Sequence, residues 1–145
     1  MAQCYMLLTI ASIVALSSCL QLRPHCSQLA KYAMPSSEQR MVLFTGVEAL
    51  APSKDVGLKI SYECALEGMA GLILESPEKP YNCAQSLGIF PLIFEVNEEG
   101  NDVNAANNAA LSAWDKHIPN LRDRSGFGCN YIKEEGKHRY ICLFK

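Results

Sequence analysis

The sequence predicts an α+β fold, a short α-β-α sandwich in which helices pack on a small antiparallel sheet. Two helix-period apolar stripes, across residues 62–73 and 103–118, supply the helical part. A β-rich run at 89–96 and two short β-rich segments either side of a charged turn at 134–137 supply the sheet. The chain has 145 residues, 49% of them apolar, which suits one domain with a core.

Residues 1–19 carry no charged side chain, and their apolar run at 6–16 is followed by Ser17-Ser18-Cys19. This is the pattern of a secretory signal peptide, here without its usual basic residue, and it predicts a secreted, extracellular domain over 20–145. The run is too short for a membrane span, and no later segment reaches the ~18 apolar residues a span needs. A net charge of −2 gives no basic excess for nucleic acid.

In the domain itself, Ser36 and Gln39 form a capping box that starts a first helix. Met41, Val42, Val47 and Leu50 give that helix its apolar face, and Pro52 ends it. The second helix starts at Ser61 and buries Tyr62, Leu66, Met69, Ala70 and Ile73, ending before Pro77. Pro91 makes the 89–96 run an edge strand or a strand start. Asp102 caps a third helix, with Val103, Ala106, Ala110, Leu111, Trp114 and Ile118 on its apolar face and Pro119 as its stop. Asn104, Asn107 and Asn108 are assigned to the opposite side, and Trp114 reads as a core anchor. Segments 127–131 and 139–144 make the closing hairpin.

Five cysteines follow the leader: Cys26, Cys64, Cys83, Cys129 and Cys142. Cys129 and Cys142 face each other across the hairpin, where a disulfide closing so short a loop contributes roughly 3 kcal/mol. As zinc ligands they would need two further partners, and His138 supplies only one. For the rest we expect a Cys64–Cys83 bridge with Cys26 left as a free thiol, although Cys26 could replace either partner. His25, His117 and His138 share no metal-ligand spacing and are expected at the solvated surface. Neither a Gly-x-Ser-x-Gly elbow nor a phosphate-binding glycine loop occurs, so no catalytic residue is assigned.

The segment Ile60-Ser-Tyr-Glu-Cys-Ala-Leu-Glu-Gly-Met-Ala70 resembles the Lys-Tyr-Asp-Cys-x-Leu-Glu-x-x-Ala segment of nematode CAP-superfamily (SCP/TAPS) proteins. The stretch Met34-Pro-Ser-Ser-Glu-Gln-Arg40 resembles their first-helix entry, and Ala109-Ala-Leu-Ser-Ala-Trp-Asp-Lys-His-Ile118 their Trp-x-x-Glu-Ile helix. Phe127-Gly-Cys and Tyr140-Ile-Cys-Leu-Phe144 resemble their closing strands. The likeness is greatest to the short Ancylostoma-secreted-protein-related group. That family holds a metal with two histidines and two glutamates. The first pair belongs near 83–94, which reads Cys-Ala-Gln-Ser-Leu-Gly-Ile-Phe-Pro-Leu-Ile-Phe, the second glutamate falls at His117, and the segment with the last histidine is missing between 119 and 127. The resemblance therefore implies a secreted binding protein without catalysis, metal or cofactor. It implies a partner among host proteins or cell-surface receptors, at a surface the sequence does not mark. The competing expectations are a lipid or sterol carrier and a protease inhibitor presenting the 133–139 loop.

Overall fold

Near-continuous burial along the last two strands, covered on both faces, organises the molecule. The computed structural model describes residues 23–53, 59–76, 78 and 80–145, and the expected signal peptide lies outside them. Its elements are α1 (Ser37–Leu50), β1 (Ser61–Tyr62), α2 (Cys64–Glu75), α3 (Tyr81–Ser86), β2 (Phe90–Asn97), α4 (Val103–Trp114), β3 (Gly126–Glu134) and β4 (Lys137–Phe144). Single 3₁₀ segments, Ser27–Tyr32 and Ile118–Asn120, precede α1 and follow α4.

β3 and β4 form the hairpin, longer at both ends than expected, with Glu135 and Gly136 both at positive φ (53° and 70°) at its tip. Those dihedrals suit a tight two-residue turn whose twist matches the strands. β2 pairs antiparallel with the other edge of β4, and β1 pairs parallel with β3, giving the order β1-β3-β4-β2. The sheet is thus mixed and not wholly antiparallel. The cause is Ser61–Tyr62, which does not open the second helix: Glu63 N donates to Phe127 O at 2.7 Å, holding this stretch extended on β3.

Successive β4 side chains point to opposite faces. Ile141 and Leu143 meet Leu66, Ala70, Ile73 and Leu74 of α2. Tyr140, Cys142 and Phe144 meet Leu43, Phe44 and Val47 of α1 and Ala106, Ala110 and Trp114 of α4. The result is three layers, α2 on one face and α1 with α4 on the other. At Gly128 a Cβ would stand 2.6 Å from the Glu63 carbonyl oxygen, so only glycine lets the first turn of α2 lie on β3.

The helix caps follow the sequence. Ser36 Oγ accepts from Gln39 N, and Asp102 Oδ1 accepts from Ala105 N at 2.7 Å. The last apolar stripe breaks at Trp114, since Ile118 belongs to the following 3₁₀ turn. Trp114 is buried and its Nε1 donates to Ile93 O on the edge strand, so with Pro91 it blunts that edge.

Candidate functional site

Cys129 and Cys142 stand directly opposite in the hairpin register and are disulfide-bonded in the core. The second bridge is Cys26–Cys64, which replaces the expected Cys64–Cys83 pair and removes Cys26 as the free thiol. The 3₁₀ segment explains it: the chain folds back so that Leu29 packs by Gly68, which brings Cys26 to the first turn of α2. Cys83 instead lies on the exposed side of α3, whose inward residue is Ala84, and its thiol is free. Among the described residues no three His, Cys, Asp or Glu side chains gather in metal-binding geometry.

Folded back in this way, the lead-in is held by a buried carboxylate. Glu67 on α2 is fully buried and receives Arg40 Nε and an Nη at 2.7 and 2.8 Å, in fork geometry. It also accepts from Met34 N at 2.7 Å and from the Tyr62 hydroxyl at 2.6 Å. Asn130 of β3 closes the cluster, its amide donating to Tyr32 O and Glu67 O. Burial, then the Glu67 charge, pushes the Tyr62 phenol far above its ordinary value, and the hydrogen bond to Glu67 raises Arg40 further. Every strong polar group here has a partner, so its chemistry is that of a clasp.

The histidines divide. His25 and His117 are exposed, but His138 is 1% exposed, contrary to the surface position expected. The 98–101 loop folds over β4, so His138 Nε2 donates to Asn101 O at 3.1 Å, leaving Nδ1 to accept from the Tyr131 hydroxyl at 2.8 Å. Gln39 reaches the same hydroxyl, where it does not complete the capping box. The hairpin tip is strand up to Glu134 and from Lys137, so the 133–139 stretch is no open loop. Arg139 pairs with Glu95, Glu134 and Glu135, Lys137 with Glu95, and Lys133 with Glu98.

A cleft of about 330 Å³ opens between the first turns of α1 and α4. Ser36, Glu38, Gln39, Val42, Val103, Asn104 and Asn107 line it. Asn107 is fully buried, and neither its Oδ1 nor its Nδ2 has a hydrogen-bond partner. A buried, unmatched polar group costs about 1–3 kcal/mol. Tyr140 Oη, on the sheet beneath α1 and α4, is also unmatched. Sequence reading assigned Asn107 to the solvent side. Yet Val103, Asn107, Ala110 and Trp114 fall at i, i+4, i+7 and i+11, so a polar residue inside an apolar stripe was the signal for it. Elsewhere, Leu87, Phe90 and Ile93 are exposed (66%, 41% and 45%) where α3 runs into the edge strand.

Where the resemblance places metal ligands, residues 83–94 form α3 and the start of β2, and His117 is an exposed residue beyond α4. The family model for Ancylostoma-associated secreted protein related proteins matches residues 26–144. Among solved structures, "Ancylostoma-secreted protein Ac-ASP-7" is similar at 15% identity and TM-score 0.57, over 78% of this chain and 71% of that one. "Manganese-bound Ac-ASP-7" gives 15% identity and TM-score 0.57 over 80% and 73%. At that identity the likeness is one of fold. No curated protein matches the chain.

Proposed function

We propose that this chain, which belongs to the Ancylostoma-associated secreted protein related family, is a secreted, non-catalytic binding protein that engages a host protein or cell surface. The observation that carries the reading is the exposed apolar run Leu87, Phe90 and Ile93 at the sheet edge. Phe90 and Ile93 point to opposite faces of β2, so these side chains flank the free sheet edge from both sides, and large apolar groups left in water there suit a macromolecular partner. Two disulfides hold the scaffold behind it, as suits an oxidising extracellular compartment, and no helix among the described residues is long and apolar enough to cross a membrane.

The other expectations draw less support. The α1–α4 cleft is lined by Ser36, Glu38 and three carboxamide residues with only two valines, a chemistry unlike a sterol's. The 133–139 stretch is committed to strand and to its own ion pairs, which leaves little free loop for a protease.

The test is affinity capture from host plasma and cell extracts by the oxidised domain, beside a Leu87→Asp/Ile93→Asp variant. A specific partner held by the parent and lost by a variant of unchanged circular dichroism supports the reading. Capture that ignores the two substitutions overturns this surface, and turnover abolished by a single substitution overturns the non-catalytic assignment.

A further inference from the structure

The disulfides stand in unlike surroundings. Cys129 and Cys142 are both fully buried. Of the other bridge, Cys26 is buried but Cys64 is only half-buried, its sulfur 3.7 Å from the carbonyl oxygen of the exposed His25. A thiolate opens a disulfide by direct attack on sulfur, so access decides which bridge yields first.

The lead-in anchored by Cys26–Cys64 is held unequally along its length. Its 3₁₀ segment, none of whose residues is buried, bends at Ala30, where φ is 50° and ψ −122°. Beyond the bend the chain is fixed, since Asn130 donates to Tyr32 O and Glu67 accepts from Met34 N. Before it, Leu29 N donates locally to Cys26 O, and what ties this part to α2 is the bridge and the packing of Leu29 on Gly68. Leu29 there covers part of an apolar stripe. Ala65, Gly68 and Leu72 fall at i, i+3 and i+7 on α2; Gly68 is buried beneath Leu29, while Leu72 stays 51% exposed.

We propose that Cys26–Cys64 is a redox switch: its reduction by a dithiol frees residues 23–29 to swing about Ala30 and uncovers the Ala65, Gly68 and Leu72 stripe. The reductant's thiolate attacks Cys64 Sγ, forming a mixed disulfide and releasing Cys26 as a thiolate that takes up a proton. The reductant's second thiol then displaces Cys64. Two electrons and two protons reach the protein, and the reductant leaves as a disulfide. The Glu67 clasp and the buried Cys129–Cys142 bridge keep the rest of the domain in place.

The experiment blocks Cys83 with N-ethylmaleimide, adds dithiothreitol stepwise to the oxidised domain, and traps new thiols with iodoacetamide for peptide mapping. Cys26 and Cys64 should be trapped at least ~tenfold faster than Cys129 and Cys142. Amide exchange of the half-reduced domain, followed by NMR, should speed at least ~tenfold at Leu29 and stay slow at Met34 and along β4. A Cys26→Ser/Cys64→Ser variant should fold and show the same exchange pattern without reductant. Equal trapping of both bridges overturns the proposal, as does exchange at Leu29 that reduction leaves unchanged. Protection lost at Met34 and β4 together with Leu29, or a serine variant that does not fold, overturns it too, because the opened state must keep the fold.

Discussion

Glu67 and Asn107 are both fully buried polar side chains on helices that pack against the same sheet, one on each face. Around Glu67 the fold supplies a guanidinium, a phenol and a backbone N–H within hydrogen-bonding distance. Around Asn107 it supplies nothing, and one strand away Tyr140 Oη is equally unmatched. The Glu67 cluster is therefore complete within the fold, its guanidinium reaching across from α1, while Asn107 and Tyr140 on the α1–α4 face carry polar atoms that their own packing does not use. Satisfied buried groups fix a unique arrangement, and unsatisfied ones weaken the packing that holds them.

The largest test of that contrast is Glu67→Ala, which strands the Arg40 charge and should cost about 3–5 kcal/mol in urea unfolding. The double variant Glu67→Leu/Arg40→Leu should recover much of it, since matched removal leaves no charge uncompensated. A Glu67→Ala loss under about 1 kcal/mol would erase the distinction between the faces. Next, replacing Cys129 and Cys142 by alanine, on the face with the unmatched groups, should cost roughly 3 kcal/mol in the same measurement.

Alkaline titration sharpens the comparison further. Tyr62 ionises in the folded state well above its ordinary 10.0, while the unfolded chain ionises near that value. The contribution is whole below pH 10 and falls as pH rises beyond it, by up to about 1.4 kcal/mol per unit. Tyr140, raised by burial, adds a loss of the same sign. Tyr62→Phe should therefore flatten part of the alkaline slope seen in thermal melts, and an unchanged slope would contradict the clasp.

Asn107→Leu should move stability the opposite way from Glu67→Ala, with a gain of about 1 kcal/mol, or roughly 3 °C in melting temperature. A loss instead would show that Asn107 has a structural partner after all. The smallest effect belongs to the hairpin tip. The hydrogen bond from Lys137, with Arg139, lowers Glu95 below its ordinary 4.5. Its contribution is present above that pH and fades as pH falls through the lowered value. Because these groups are exposed, only a few tenths of a kcal/mol should be lost on acidification, and less in salt.

What the sequence made legible was local. The hairpin and the Cys129–Cys142 facing pair follow from two strands joined by one tight turn, and Trp114 from its place in a helical stripe. The Cys26–Cys64 bridge was not legible, because it depends on a lead-in folding back across 38 residues onto α2. Tyr62 fits a helical period as well as it fits its strand, and only pairing with β3 decides between them. His138 is buried by a loop contributed from 37 positions earlier in the chain, which no pattern around it announces. Asn107 is the instructive miss, since two neighbouring asparagines drew it into a polar face that the 3.6-residue period does not support.

The order β1-β3-β4-β2 carries a further consequence, for biosynthesis. β4, which follows the other three described strands in sequence, is the one against which both β2 and β3 pair. Until it emerges, the earlier strand β2 has no neighbour, and the core layers have only the short β1–β3 pair to close on. The sheet must therefore wait, with Cys129 unpaired, until synthesis has passed Phe144. That delay makes oxidation of Cys129 with Cys142 a late event in the folding of the chain.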